Sequence, residues 1–351
     1  MKIIKTTEPK QKPDFSKLGF GKYFSDHMLI MDYANGEWQE PVICPYSKFE
    51  MEPSTTVLHY AQGIFEGAKA YKDADGNITT FRLKDNFARM NRSAERLCMP
   101  TLDADLVIKC INKLLKIEAD WIPTAVGTAL YIRPTMIATD AALGVHASHS
   151  YRFFVILSPV GAYYANGLAP TKILIEDKYV RAAIGGTGEA KCMGNYACSL
   201  LAGEQAQQKG YDQVLWLDAK QRKYIEEVGA MNMFFVIGDE VCTPKLVGSI
   251  LPGITRNSAI KVLKKAGYKV RERRISVDEV IKAYNEGNLK EAFGTGTAAV
   301  VSPVGLFGYK GKDLVVNNNK MGAITEFLYN KLTGIQYGTE EDTFHWVKKV
   351  N

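Results

Sequence analysis

The chain has 351 residues, 46% hydrophobic and 23% charged, with a net charge of +6 from 44 Lys and Arg against 38 Asp and Glu. At about 150 residues per domain this length predicts two domains, and the composition excludes a disordered chain. The charge is mild and dispersed, which argues against a nucleic-acid binder and suits a protein that handles small anions.

No run approaches the roughly 18 apolar residues of a membrane span, and the longest candidates, 153–160 and Met231–Ile237, are strand-sized. The N-terminal residues carry charges but no apolar stretch long enough for a signal peptide. Cys44, Cys98, Cys110, Cys192, Cys198 and Cys242 are dispersed, with no Cys-x-x-Cys pair. Reduced, mostly packed thiols and a cytoplasmic location are the expectation, with no membrane or nucleic-acid partner.

In chain order, Asp85 is expected to cap a helix running to Cys98, with Phe87, Met90, Ala94 and Leu97 on one face. A second helix follows, its apolar side made by Leu106, Val107, Cys110, Ile111, Leu114 and Leu115. The runs 129–137 and 151–160 are rich in β-branched and aromatic residues and read as strands. Between them His146-x-x-His149 has the spacing of two metal ligands, but no acidic or third histidine ligand is expected near it. The sequence therefore predicts a surface loop there and no metal.

The stretch 161–170, punctuated by Gly161, Gly167 and Pro170, is the best linker. It places a smaller N-terminal domain over 1–160, an interdomain loop over 161–171 and a larger C-terminal domain over 172–351. Beyond the linker, strands at 172–176, Gln213–Leu217 and Met231–Ile237 alternate with helical patterns over about 195–210 and 256–266. A capping box, Ser276-x-x-Glu279, opens a further helix that stops near Gly287, and a last helix covers about 323–332. The pattern is a mixed α/β (α+β) fold without internal repeats.

Four segments could carry chemistry. Gly294-Thr-Gly-Thr-Ala-Ala299 matches a dinucleotide fingerprint in form, but Val300-Val-Ser-Pro303 follows where a helix is required, so a loop cradling a single phosphate or carboxylate is the reading that remains. Leu251-Pro-Gly-Ile-Thr-Arg256 puts a turn before a helix start, where free N–H groups and the positive dipole end can hold an anion, although taken alone it reads as an ordinary turn before a helix. Lys191 lies in Gly185-Gly-Thr-Gly-Glu-Ala-Lys-Cys-Met-Gly-Asn-Tyr196, a stretch poor in charge that taken alone favours a surface lysine over a desolvated amine used covalently. Glu226 and Glu227 sit at the edge of an apolar strand, where a solvated strand end is the default.

Taken together, Lys191, Glu227-x-Gly-x-x-Asn232, Thr243 and Leu251-x-Gly-Ile-x-Arg256 resemble the motif of the class IV aminotransferases, fold-type IV enzymes dependent on pyridoxal 5′-phosphate. The resemblance narrows to the branched-chain amino acid aminotransferases through Leu58-His-Tyr-Ala-Gln-Gly-Ile-Phe-Glu-Gly67, Tyr131-Ile-Arg-Pro134, Gln213-Val-Leu-Trp216, Phe293-Gly-Thr-Gly-Thr-Ala298 and Ile335-Gln-Tyr-Gly338. It implies the two-domain fold of that family, with the cofactor in the C-terminal domain. Its reaction would be reversible transamination of leucine, isoleucine and valine with 2-oxoglutarate by a homodimer.

Residue by residue, the resemblance implies that Lys191 forms the Schiff base with the cofactor and then shuttles a proton. Glu227 matches the acid at the pyridine nitrogen and Tyr196 the partner of the phenolic oxygen. Arg89, the backbone N–H groups of Ile254 and Thr255, and Thr297 match the phosphate site. Tyr60, Arg133 and the Thr297 and Ala298 amides match the substrate α-carboxylate site, and Phe65, Tyr131 and Tyr163 the walls of an apolar side-chain pocket. Val145 matches a residue that reaches across a dimer interface. Three features depart from relatives: Ala299-Val-Val-Ser302 replaces a redox Cys-x-x-Cys, Cys192-Met193 follows the lysine, and Ala230 stands where some relatives carry Thr.

Overall fold

The computed structural model describes residues 1–161 and 168–350. Two compact units emerge: Met1–Ala165 with Ala190–Met193 and Gly334–Asn351, and Asn166–Glu189 with Gly194–Thr333. The expected continuous C-terminal domain over 172–351 therefore needs correcting in two places. Residues 190–193 bond to the edge strand Gly63–Phe65, and Val347–Lys349 pairs antiparallel with Ile78–Phe81. Backbone pairing, invisible to composition, moves both segments into the first unit.

The first unit is built on a sheet that, among the described residues, runs in the order Lys2–Ile3, Val42–Pro45, His27–Ala34, Tyr151–Val160, Ala129–Ala138, Ala68–Lys72, Ile78–Phe81, Val347–Lys349. Gly63–Phe65 pairs beside this path with Ala129–Ala138, in the register Gly63↔Ile137 to Phe65↔Thr135. The helices Leu83–Arg96 and Ala104–Ile117 bury Phe87, Met90, Ala94, Ile111 and Leu114 in one core with strand residues such as Leu130, Ile132 and Phe153. Spacings of three and four residues put each apolar set on a single helical face. Asp103 caps the second helix by accepting from the N–H groups of Asp105 and Leu106.

The first helix starts earlier than expected. Arg82, at φ 51°, is its N-cap, and Asp85 sits inside the first turn, where its carboxylate accepts from Arg82 Nε at 2.7 Å. An acid in a first turn suits the helix dipole as well as a capping acid does, so sequence alone does not separate the two positions.

In the second unit the strands follow the order Ile225–Val228, Gln213–Leu217, Thr171–Glu176, Val300–Tyr309, Leu289–Gly296, Met231–Ile237, Glu240–Pro244, Lys269–Arg273. Ile225–Val228 also pairs with Met231–Ile237, through Glu227↔Asn232 and Val228↔Met231, so the first six of these strands close into a small barrel. Leu215, Ile225, Met233, Phe235 and Phe307 belong to its core.

The expected helix over 195–210 is two pieces, Gly194–Ala197 and Leu200–Gln208. The others run Ile254–Lys265, Val277–Asn285 and Ala323–Tyr337, and Ser276 caps the second by accepting from the Glu279 N–H. Residues 297–299 form a turn between the strands Leu289–Gly296 and Val300–Tyr309, which meets the expectation that no helix follows the Gly/Thr segment. Cys110, Cys192 and Cys242 are buried, and all six cysteines are free thiols. Among the described residues no helix is long and apolar enough to cross a membrane.

Candidate active site

In the first unit the site begins with backbone pairing. Ile64 and Cys192 form an antiparallel bridge, the Phe65 N–H donates to the Lys191 carbonyl at 3.1 Å, and the Met193 N–H donates to the Gly63 carbonyl at 3.1 Å. The Lys191 N–H donates to Ser93 Oγ on the Leu83–Arg96 helix at 2.9 Å. Glycine at position 63 eases this approach, because a Cβ there would lie 2.7 Å from Met193 Sδ and the methionine side chain would have to shift. Cys192 packs in the core at 4% exposure, so the unusual Cys-Met pair has a packing role.

The lysine side chain then runs over the Phe65 ring, with Nζ 4.8 Å from its centroid. Desolvation, reinforced by the Arg89 charge and opposed by Glu66, lowers the Lys191 pKa from 10.5 to about 8. The surface reading that the segment favoured is thereby overturned: its flat composition hid a tertiary pocket.

Arg89 is 4% exposed and forms a two-point ion pair with the fully buried Glu66, Nε to Oε1 at 2.7 Å and Nη2 to Oε2 at 2.8 Å. Asn86 Nδ2 and the Gly67 N–H also donate to Glu66 Oε2, at 2.8 and 3.2 Å. Burial pushes the Glu66 carboxyl up, but Arg89, Lys191 and Asn86 outweigh it and hold it below its ordinary value. Arg92 and Arg96 on the same helix are exposed.

Arg133 donates from Nη2 to the Tyr131 hydroxyl at 3.3 Å, and its guanidinium lies over Phe65 and Tyr131 at 4.8 and 5.2 Å. The Tyr131 hydroxyl occupies the space a side chain at Gly67 would need, since a Cβ there would come within 2.0 Å of it. Lys191, Arg89, Arg133, Phe65 and Tyr131 are thus connected through shared contacts, with three cations against the one carboxylate of Glu66. Tyr60 is not among them: it is 41% exposed, and its hydroxyl donates to the Leu143 carbonyl. Val145 is 83% exposed on the same loop. Tyr163 lies outside the described residues.

In the second unit all four residues of Ile225–Val228 are buried, so neither acid is the solvated strand end that the default reading assumed. Closing the barrel covers both faces of this short strand. Glu227 pairs with Arg181, Oε2 to Nε at 2.6 Å, and its Oε1 accepts from Asn232 Nδ2 and the Leu251 N–H, both at 3.2 Å. Arg181 also donates from Nη2 to the Gly188 and Ser249 carbonyls at 2.9 and 2.6 Å, a rigid three-point mount. Glu226 accepts from the Ser249 hydroxyl, and burial raises its pKa.

Ile254 and Thr255 open the Ile254–Lys265 helix behind the N-cap Gly253, which has no side-chain oxygen to cover the positive dipole end. A Cβ at Gly253 would lie 2.0 Å from Asn232 Oδ1, so glycine lets the helix start approach the Glu227 strand pair. Thr297 and Ala298 are half-buried in their turn, and Tyr196 lies in the short Gly194–Ala197 helix.

Glu66 and Arg181 had no role in the sequence reading. Glu66 stood inside the quoted Phe65-Glu-Gly67 run, where a lone acid among apolar and small residues was the available signal. Arg181 had none.

The profile of the family described as Amino-transferase class IV matches residues 63–307. Over 351 residues the chain is 51% identical to branched-chain-amino-acid aminotransferase 2 of Bacillus subtilis (strain 168), covering all of this chain and 97% of that one. Among solved structures, the Escherichia coli branched-chain amino acid aminotransferase superposes with a TM-score of 0.77 at 28% identity, covering 93% of this chain and 99% of that one. A second branched-chain amino acid aminotransferase, solved with pyridoxamine 5′-phosphate, gives a TM-score of 0.76 at 26% identity, covering 92% of this chain and 98% of that one.

Proposed function

The chain belongs to the class IV aminotransferase family, among its branched-chain amino acid aminotransferases, and on that premise we propose that it moves the amino group of L-leucine, L-isoleucine or L-valine reversibly to 2-oxoglutarate. The observation that carries the reading is the Lys191 amine, desolvated over Phe65 and poised near pH 8 beside Arg89. An amine with that proton affinity can both donate and accept a proton close to neutral pH.

Pyridoxal 5′-phosphate suits the residues present. Arg89, Lys191 and Arg133 outnumber the one acid between them, so the first unit's cluster favours an anion such as a phosphate or carboxylate. In the second unit, Glu227 is a carboxylate mounted on Arg181, the acceptor that a protonated pyridine nitrogen requires. When bound, the cofactor supplies an electron sink for the bond that breaks at the substrate α-carbon.

The chain's own residues do the rest. Lys191 Nζ would hold the cofactor covalently and, once released, carry the proton taken from the substrate α-carbon. Arg89, the Ile254 and Thr255 amides and Thr297 would hold the phosphate, which orients the ring without entering the chemistry. Tyr196 would bond the phenolic oxygen. Arg133, with the Thr297 and Ala298 amides, would clamp the substrate carboxylate, while Phe65, Tyr131 and Tyr163 would line the side-chain pocket. An apolar pocket separates substrates by only about 1–3 kcal/mol per methylene, so all three branched-chain amino acids should be used.

Tyr60 would serve the carboxylate site from a homodimer interface. Leu58, Tyr60, Leu143 and Val145 leave 61%, 41%, 65% and 83% of their surface exposed, an apolar face that a second copy would cover. The proposed setting is the cytoplasm, in keeping with six free thiols.

The decisive experiment pairs Lys191→Ala with a steady-state assay on L-leucine and 2-oxoglutarate. Loss of turnover with cofactor still retained by dialysis supports the assignment. Full transamination by the variant would refute it.

A further inference from the structure

The loop joining the strands Ala129–Ala138 and Tyr151–Val160 brings together three potential ligands that the sequence reading kept apart. Asp140, His146 and His149 each offer one donor atom, and these atoms all lie within 4.8 Å of one another. The acid expected to be absent from His146-x-x-His149 is supplied by Asp140 as the loop folds back. We infer that Asp140, His146 and His149 form a binding site for a divalent transition-metal ion of the zinc class, with the remaining coordination left to water.

The donor set is two imidazole nitrogens and one carboxylate oxygen, which suits a borderline ion and a site with an open position. The orientation of the His146 ring supports the same assignment. His146 Nδ1 lies 2.8 Å from the Gly144 carbonyl, which can only accept, so Nδ1 carries the hydrogen. The other ring nitrogen, Nε2, faces Asp140 Oδ2 at 3.5 Å. A ring nitrogen bonded to a backbone carbonyl is also the usual way a metal-ligating histidine is oriented.

Asp140 is held as a ligand should be. Its Oδ1 accepts from the Ser150 N–H and hydroxyl at 2.9 and 2.6 Å, and its Oδ2 accepts from the His149 N–H at 2.8 Å. His149 Nδ1 stands 3.1 Å from Oδ2. No lysine or arginine occurs from 134 to 151 to compete within the loop, and the neighbouring Arg152 is engaged by Asp32. The histidine side chains remain 36% and 86% exposed, so an ion can enter from solvent.

The test is calorimetric titration of zinc chloride into the cofactor-loaded protein, alongside His146→Ala and His149→Ala. His149→Ala should fold and transaminate normally without zinc, whereas His146 adjoins Val145 on the proposed dimer face, so zinc binding alone is the readout for His146→Ala. The expected result is a saturable site of one zinc per chain in the wild type, weakened about tenfold or more in each variant. Absence of a saturable site below about millimolar zinc, or wild-type zinc binding in either variant, would overturn the proposal.

Discussion

Glu66→Gln keeps the side chain's volume and removes one buried charge. In the native unit both Glu66 oxygens are occupied, by Arg89 Nε and Nη2, Asn86 Nδ2 and the Gly67 N–H. A glutamine presents an NH2 group where one Arg89 donor needs an acceptor, and Arg89 is left as a buried cation with Lys191 nearby. Breaking a buried pair from one side costs about 3–5 kcal/mol, and the amide oxygen that remains favours the low end. At 1.36 kcal/mol per decade, about 3 kcal/mol lowers amide protection in the Leu83–Arg96 helix by roughly a hundredfold. Hydrogen exchange on the cofactor-free protein reads this directly. Millimolar phosphate should restore more protection in the variant than in the wild type, because the cluster has lost its acid. Protection within about threefold of wild type would show that Glu66 is not the counter-charge argued here.

Lys191 makes stability depend on pH in a stated direction. Its proton is disfavoured in the folded state, with a pKa of about 8 against 10.5, so the cost is fully present below about 8 and is relieved as pH rises to about 10.5. The gain across that window is about 3 kcal/mol. Lys69, lowered to about 8 by burial, adds a parallel slope, so the comparison is wild type against Lys191→Met by denaturant titration at several pH values. Equal slopes would refute the desolvated amine. In Gly67→Ala the new Cβ meets the Tyr131 hydroxyl, and the Arg133 clamp shifts with it. Overpacking of about 1–3 kcal/mol should raise the KM for 2-oxoglutarate roughly tenfold with cofactor retention unchanged, and an unaltered KM counts against the carboxylate site. Arg181→Met leaves Glu227 without its guanidinium and two carbonyls without a donor, so cofactor affinity measured by equilibrium dialysis should fall at least tenfold, part of a cost of about 3–5 kcal/mol. Unchanged affinity would remove Arg181 from the support of Glu227.

Local features were legible where local physics decides them. The Ser276 cap, the apolar faces of the two N-terminal helices and the turn after Gly296 all depend on neighbours within a few residues. The order and spacing of Lys191, Glu227 and Leu251-x-Gly-Ile-x-Arg256 pointed to the family, because a cofactor with several chemical handles demands several residue types in a set order. Even so, the Lys191 segment by itself suggested the surface, and Glu226-Glu227 suggested a solvated edge.

What only the tertiary structure decided is which charges share a low-dielectric space. Glu66 meets Arg89 from 23 positions away, and the Lys191 segment docks on an edge strand more than a hundred residues earlier. Arg181 reaches Glu227 on a strand that barrel closure buries, and Asp140 turns back onto His146 and His149. Proton affinities and ion pairing depend on distance and desolvation, and neither quantity exists along a sequence until the chain has folded. Residue identities and their order named the chemistry; folding decided where each charge would be dry and which partner it would have.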